Sequence, residues 1–297
     1  TAGGGFNFGS NVSGGTVSPE DFDVLEAKIV FQVPSTAMLL GGTQVEIGKF
    51  LTTAGAEGLA SWTSAQFSRS YSSGFLVPFT HTGVRASKTL IERSDGKDLL
   101  AVKLGWANGW DSARDGNDSQ MFLTSTTVAP ADFFSLTANW FFGWRDAGGV
   151  GDDNDMSHLL DLVADVSIPG LEGVSLLGGF DWYGDENGAN YAQYYSFSGV
   201  LKWEFGNFMT ASEDDKMYLS FRGEYVDDEK GFAGLGTGPA NMFSLTWTLG
   251  YWVTDALLLR VEVRHDKADQ QIFELNAAGA GTRHQQTTVA FNSVFKF

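Results

Sequence analysis

Residues 217–225 read Met-Tyr-Leu-Ser-Phe-Arg-Gly-Glu-Tyr, and this stretch decides the fold. Leu219 and Phe221 fall on one side of a two-residue period, whereas Arg222 and Glu224 fall on the other. A two-residue period is that of a β-strand, whose successive side chains point to opposite faces of a sheet. Charges at mid-strand are unusual for a soluble sandwich, because a buried charge needs a partner in a dry core. They are typical of a strand with one face toward water and the other toward lipid.

The same alternation recurs along the chain in segments long enough to cross a membrane obliquely. The clear segments are 24–33, 99–106, 136–145, 159–168, 174–182, 195–205, 242–252, 257–266 and 287–297, with weaker ones at 44–51, 79–88 and 120–129. Since an open sheet edge cannot stay unpaired in hydrocarbon, the strands must close into a barrel. The alternative is a soluble barrel with an aromatic core, which would have to expose the charged face of nearly every strand.

The connections between these segments alternate in length. Short turns lie near 130–134, 169–173 and 253–256, and long polar loops lie at 107–119, 146–157, 184–191, 227–241 and 267–283. Short periplasmic turns and longer external loops are typical of outer-membrane barrels. We therefore predict an all-β protein of one domain, 1–297, forming a closed antiparallel transmembrane β-barrel of about 14 strands, with 12 to 16 compatible. Strand parity makes Gly5–Val12 the candidate for an additional first strand.

Composition excludes several other classes of protein. The 297 residues include no cysteine, so disulfide frameworks and thiolate metal sites are ruled out. The net charge of −17 argues against nucleic acid as a partner, because phosphate binding needs clustered Lys and Arg. The four histidines are far apart, and we found no nucleophile elbow. We therefore expect no enzyme activity.

A family resemblance rests on residues 45–85. Val-Glu-Ile-Gly-Lys-Phe at 45–50 precedes Gly55 and Glu57, and Phe-Ser-Arg-Ser at 67–70 precedes Pro-Phe-Thr-His-Thr-Gly-Val-Arg at 78–85. This order resembles the β-barrel porin type 2 family and, more remotely, the phosphate-selective porins. The resemblance implies a porin of the bacterial outer membrane. One departure is Thr53-Ala54-Gly55, where such sequences often have proline before the glycine.

The C-terminal strand carries a second resemblance. It ends in Phe297, with apolar residues at alternate positions before it. It is similar to the last strand of outer-membrane proteins that the barrel-assembly machinery recognises. We therefore expect this machinery and outer-membrane lipids as partners.

The charged residues of the polar strand faces are the candidates for a lumen site. The strand candidates are Arg85, Lys103, Asp161, Asp165, Asp181, Arg222, Glu224, Arg260, Glu262 and Arg264. One interpretation is a water-filled channel that selects solutes by charge and size. The other is internal ion pairing that ties the walls together and leaves little pore; the alternating signs along 260–266 fit it well. We favour the channel.

Segment 52–78 is the longest non-strand piece between candidate strands. Long loops in compact domains are usually functional. The segment could fold inward and narrow the lumen, with Glu57 and Arg69 at the constriction. It could equally be an external loop or a contact between subunits.

The predicted external loops are acidic, and Asp152, Asp153 and Asp155 form their densest cluster. Carboxylate oxygens suit Ca²⁺ or Mg²⁺, although the cluster lacks the full spacing of a calcium loop. A solvated rim is the simpler interpretation, and we expect no cofactor otherwise. Such a rim would attract cations at low ionic strength.

The preferred function is passive diffusion of small hydrophilic solutes with a mild cation preference, through a homo-oligomer that is a trimer or larger. The alternative is a homo-oligomeric structural barrel with a plugged lumen that organises or encloses lipid. Its motivation, besides the paired charges, is the small outward residues Gly178, Gly199 and Gly223, which allow close approach between membrane elements.

Overall fold

A computed structural model describes residues 24–38, 40–59, 61–113, 120–144, 156–187, 190–206, 216–228, 239–275 and 281–296. In these ranges thirteen strands form one sheet, and each strand pairs antiparallel with its neighbours in chain order. The strands are β1 (Ala27–Gln32), β2 (Gln44–Leu51), β3 (Thr80–Glu92), β4 (Asp98–Ala107), β5 (Met121–Ala131), β6 (Phe134–Trp144), β7 (Met156–Ser167), β8 (Val174–Asn187), β9 (Asn190–Phe205), β10 (Lys216–Asp228), β11 (Ala240–Thr254), β12 (Leu257–Ala268) and β15 (Gln285–Phe295). Strands β13 (Phe273–Leu275) and β14 (Gly281–Arg283) pair separately, between β12 and β15. The predicted all-β antiparallel architecture is confirmed.

The burial of the strands is the reverse of that in a soluble sheet. Along β10, Arg222 and Glu224 are buried, whereas Leu219 and Phe221 are 48% and 38% exposed. Strands β11 and β12 repeat the pattern, with Thr246 and Glu262 buried and Trp247 exposed. The polar face, which we call the inner face, is therefore covered, and the apolar face is open to its surroundings. An apolar outer band is what a lipid environment requires.

The connections divide into two sets. At one end, called here the turn end, residues 132–133 and 255–256 join strand pairs tightly. The opposite end, the loop end, carries the long connection 52–79, which includes a 3₁₀ turn at Ser61–Thr63 and a π-helical turn at Ser72–Leu76. Among the described residues, no helix has the length and apolar character that a membrane-spanning helix needs.

One predicted loop is shorter than expected. The polar residues at 184–191 predicted a long connection, but β8 extends to Asn187 and β9 begins at Asn190. Their register extends to Glu186↔Tyr191 and Asn187↔Asn190. Backbone hydrogen bonding between two strands is available to polar residues as much as to apolar ones, and here it overrides the composition.

Closure of the sheet is not seen within the described residues. Strand β1 pairs there with β2 alone, and β15 pairs with β12 alone. Because thirteen strands alternate in direction, β1 and β15 run the same way, from the loop end to the turn end. The candidate strand Gly5–Val12 lies outside the described residues.

The inner face also contains an apolar region that alternation did not predict. Near the loop end, Phe141 and Leu159 point inward and are each 1% exposed. They belong to a cluster with Phe50, Leu76 and other buried apolar side chains. The inner face is therefore apolar near the loop end and charged at mid-height. Segment 52–79 packs against this inner face.

Candidate functional site

Segment 52–79 begins and ends at one point of the sheet. The Thr52 amide donates to the Phe79 carbonyl at 2.9 Å. The Asp111 carboxylate accepts hydrogen bonds from the amides of Phe79 and Thr80 at 2.9 and 2.7 Å. His81 Nε2 lies 3.3 Å from Thr52 Oγ1. Burial raises the pKa of Asp111, although these amide donors oppose the shift. The two ends of the segment, Thr52 and Phe79, which we call its roots, are thus joined to each other. They are also joined to Asp111 and His81.

Arginines of β10 and β12 bind carbonyl groups of the segment. Arg222 donates to the Ser68 carbonyl at 2.7 Å. Arg260 donates to the carbonyls of Ser64 and Gln66, both at 3.0 Å. Arg264 donates to the Arg69 carbonyl at 2.6 Å, and its guanidinium lies over the Tyr71 ring. The wall therefore supplies donors for backbone acceptors that no helix or strand satisfies.

Glutamates of the same wall bind the amide groups. Glu262 accepts from the amides of Phe67 and Ser68 at 2.7 and 3.1 Å. Glu224 accepts from the Tyr71 amide at 2.5 Å. The backbone of the segment presents both amides and carbonyls. The glutamates of β10 and β12 bind the amides and the arginines bind the carbonyls, so the alternating charges suit both kinds of group. Charged partners make these hydrogen bonds stronger than neutral ones.

The charges of this wall also pair with one another and with the segment. Arg222 lies 2.6 Å from Glu57 of the segment and 3.5 Å from Glu224. Arg264 lies 3.3 Å from Glu224 and 2.7 Å from Asp266. Glu57 in turn accepts from the Ser70 amide. The predicted residues Glu57, Arg222, Glu224 and Arg264 therefore form one buried cluster between segment and wall.

Arg69 does not join this cluster through its side chain. Its guanidinium donates to the carbonyls of Gly58 and Leu59, within its own segment. Burial lowers the pKa of Arg69, and the charge of Glu57 opposes that shift. Glu57 thus pairs with Arg222, whereas Arg69 binds within the segment. Of the positions left open for the segment, the structure shows it against the inner face.

Strands β6 to β8 bind both arms of the segment through two carboxylate acceptors and one amide donor. Gly55 donates its amide to Asp161 at 3.0 Å, and Asn139 donates to the Thr53 carbonyl at 3.0 Å. The Ser72 hydroxyl donates to Asp181. Gly55 has φ +93, which glycine adopts without strain, so its amide can reach the carboxylate.

Strands β1 to β4 carry charges that pair locally. Glu46 lies 2.9 Å from Lys28 and 2.6 Å from Arg85. Arg85 also donates to the Leu51 carbonyl and stacks over the Phe50 ring at 4.3 Å. Lys103 is half-buried on the neighbouring strand and forms no ion pair with any residue that the structure describes.

A cavity of about 320 Å³ remains between the segment and strands β7 to β12. Trp62, Glu57 and Gln66 line it from the segment, and Asp165 and Lys202 line it from the wall. Charged groups and the Trp62 indole thus line one cavity together.

The three aspartates proposed for a metal, Asp152, Asp153 and Asp155, lie outside the described residues. Within the ranges that the structure describes, no group of three or more His, Cys, Asp or Glu is arranged to hold a metal ion. Sequence reasoning missed Asn139, Gln66 and Ser72. Asn139 stands on the polar face of its strand and could have been found there, whereas the positions of Gln66 and Ser72 depend on the path of the segment.

The family model described as "Putative beta-barrel porin-2, OmpL-like" matches residues 11–297. The chain belongs to this family. The match extends the resemblance seen in residues 45–85 to nearly the whole chain, and the predicted family is confirmed. It also supports the expected location in the bacterial outer membrane. No curated protein sequence matches the chain.

Solved structures agree on the fold. OmpT (in-vitro folded), an outer membrane protein of Vibrio cholerae, is similar with a TM-score of 0.55 and 11% identity, over 85% of this chain and 76% of that chain. Its loop L8 deletion mutant has a TM-score of 0.52 and 11% identity, over 85% and 75%. The trimer form of OmpT has a TM-score of 0.51 and 12% identity, over 84% and 74%. At such low identity the likeness concerns the fold alone.

Proposed function

We propose that this chain is an outer-membrane porin through which small hydrophilic solutes diffuse passively, with segment 52–79 setting the width of the path. The observation that carries the proposal is the inner face, where polar and charged groups line a cavity of about 320 Å³ beside the segment. A polar lumen inside an apolar outer band is the arrangement of a diffusion channel. The family supports the same conclusion. The proposal assigns the chain no catalytic role.

The proposal includes closure of the sheet. Two strands that run in the same direction, β1 and β15, cannot complete an antiparallel barrel by pairing with each other. One further strand of opposite direction between them would pair with both, and a barrel has no exposed edge in lipid. Such a strand would give the fourteen strands that the sequence predicts.

The proposed selectivity is a mild preference for cations. The chain carries 36 acidic and 19 basic residues. Asp165 faces the cavity, and the basic groups of β10 to β12 are already held by the segment and by glutamates. An uncompensated carboxylate beside a path favours positive ions, most strongly at low salt.

We further propose a homo-oligomer, because OmpT, one of the solved neighbours, has a trimer form. Gly178, Gly199 and Gly223 are direct neighbours across β8, β9 and β10, on the outer face. A flat row of this kind permits close approach of a second membrane element. Outer-membrane lipids and recognition of Phe297 by the barrel-assembly machinery complete the set of proposed partners.

The structural alternative, a plugged barrel that organises lipid, has one observation in its favour: the segment is tied to the wall by many charged contacts. Membership in a porin family favours the channel over it. The two differ in whether ions pass while the segment is in place.

Planar-bilayer recording tests the proposal. We expect discrete conductance steps from the purified full chain, and larger steps when residues 56–75 are replaced by a short Gly-Ser linker that leaves both roots in place. A KCl gradient across the bilayer should give a reversal potential of the sign for cation preference. Lys97→Ala, in an exposed turn away from the segment, is the matched control and should leave the steps unchanged.

The decisive comparison is between the full chain and the linker variant. A folded full chain that shows no steps, across voltages and salts, would refute the channel, and steps from the linker variant alone would favour the plugged barrel. Steps of equal size in both forms would refute the role of the segment alone.

A further inference from the structure

Four polar side chains form a row across the inner face of β6 to β9. Asn139 is directly opposite Asp161, Asp161 is opposite Asp181, and Asp181 is opposite Ser196 in the strand register. Side chains directly opposite each other have Cβ atoms about 4.5–5.5 Å apart. Asp161 and Asp181 are 0% and 1% exposed, so two carboxylates face each other out of contact with bulk water.

Such a pair needs a compensating positive charge. Like charges at this separation repel, and burial removes the water that would otherwise screen them. Glu224, by contrast, has Arg222 and Arg264 within ion-pair distance. Neither Asp161 nor Asp181 forms an ion pair within the part of the chain that the structure describes.

The hydrogen bonds around the pair come from neutral donors. Asp161 accepts from the Gly55 amide at 3.0 Å and from the Asn139 amide at 2.5 Å. Asp181 Oδ2 accepts from the hydroxyls of Ser72 and Ser196. These donors stabilise negative charge but do not neutralise it.

Two acceptors remain open beside this charge. Asp181 Oδ1 and Asn139 Oδ1 are buried and have no hydrogen-bond partner among the described residues. A buried oxygen without a donor is costly, and native structures rarely leave one unexplained. Open oxygen acceptors beside two negative charges are the ligands that a hard cation takes.

We propose that Asp161 and Asp181 form a binding site for one monovalent cation, Na⁺ or K⁺, with Asp181 Oδ1 as its open ligand. We restrict the proposal to a monovalent ion because no third carboxylate or histidine joins the pair among the described residues. The site is distinct from the loop aspartates at 152–155.

The cation would also fasten segment 52–79. Gly55, on the first arm of the segment, binds Asp161, and Ser72, on the second arm, binds Asp181. Without the ion, repulsion between the carboxylates loosens both attachments. An ion that binds the folded form alone raises its stability with concentration, by mass action.

Thermal unfolding of the full chain in detergent tests this site without relying on channel activity. Protein would be melted in NaCl, KCl or N-methyl-D-glucamine chloride at one ionic strength and pH. We expect the melting temperature to be about 5 °C higher in the sodium or potassium salt once the ion exceeds its dissociation constant about a hundredfold.

Variants locate the effect. Asp181→Asn keeps an acceptor for Ser72 and Ser196 while removing one charge, and it should abolish the dependence on the cation. Asp165→Asn, on the same strand and face as Asp161, is the matched control and should retain it. Crystals soaked in rubidium chloride should show anomalous scattering between the two carboxylates.

Equal melting temperatures in all three salts would overturn the proposal. So would a melting temperature that follows pH identically in every salt, because a shared proton would then be the compensating charge. Loss of the effect in Asp165→Asn would move the site elsewhere. A cation-dependent protein that conducts no ions would refute the porin function and leave this site standing.

Discussion

Strands β10 to β12 and strands β2 to β4 both carry charges on the inner face, but their partners differ. On β10, Arg222 is 0% exposed and reaches Glu57 and Ser68, which lie far away in the chain. On β3, Arg85 pairs with Glu46, its direct neighbour in the register. The first wall therefore holds segment 52–79 in place, whereas the second satisfies itself. The same alternating sequence pattern thus produces an anchoring wall and a wall whose charges pair mainly with one another.

The largest expected effect is on the anchoring wall. Arg222→Met should lower the free energy of unfolding by about 3–5 kcal/mol, because removing one member of a buried ion pair leaves the other charge uncompensated. Glu57 would lose its ion-pair partner, and Glu224 would keep Arg264. Urea-induced unfolding in detergent, followed by tryptophan fluorescence, measures the change.

The matched control for this prediction is Arg85→Met on the self-satisfied wall. Its loss should be smaller, because Lys28 remains 2.9 Å from Glu46. Equal losses in the two variants would remove the distinction between the walls.

A smaller effect is expected when a charged residue of the anchoring wall is replaced by a neutral residue of the same shape. Glu262→Gln should cost about 1–2 kcal/mol, because its one oxygen, at the position of Oε2, can still accept from the amides of Phe67 and Ser68 but without charge assistance. Thermal unfolding measures the shift. Glu204→Gln, in a half-exposed pair with Lys202, serves as comparison and should change stability by less than about 1 kcal/mol. A cost for Glu204 as large as that for Glu262 would contradict the anchoring role.

The smallest effect on stability is expected on strands β2 to β4. There, removing a charge should alter the ion selectivity instead. Lys103→Gln should leave the free energy of unfolding within about 0.5 kcal/mol of the parent, as expected for a residue outside any ion pair. Removing a positive charge from the path should move the reversal potential in a KCl gradient toward stronger cation preference. Bilayer recording at low salt is the measurement. An unchanged potential would place Lys103 away from the path.

Much of the fold could be read from local pattern, because a strand between two different media must alternate. The inward position of Arg222 follows from this alternation, and the observed register sets it opposite Thr246 of β11 on the same face. The partners of Arg222 could not be read in this way. They depend on how segment 52–79 crosses the inner face, and that path depends on hydrogen bonds to several strands at once.

Two sets of contacts could not be read from the strand pattern, and both depend on segment 52–79. Phe141 and Leu159 stand on a face that alternation marks as polar, and they are buried there with Leu76 of the segment. Arg69 was expected at a constriction, but the carbonyls of Gly58 and Leu59 satisfy it first. In both cases segment 52–79 supplies contacts that the alternation of the strands does not reveal.

The joined roots of segment 52–79 have a consequence for kinetics. Thr52 and Phe79 are bonded to each other, and Asp111 holds the second root. A segment released from the anchoring wall would stay tethered at Thr52 and Phe79. Its return to the wall is therefore a unimolecular event. Short tethers keep a ligand at effective concentrations in the millimolar range. Ionic current through such a barrel should therefore flicker between two levels at rates that do not depend on protein concentration.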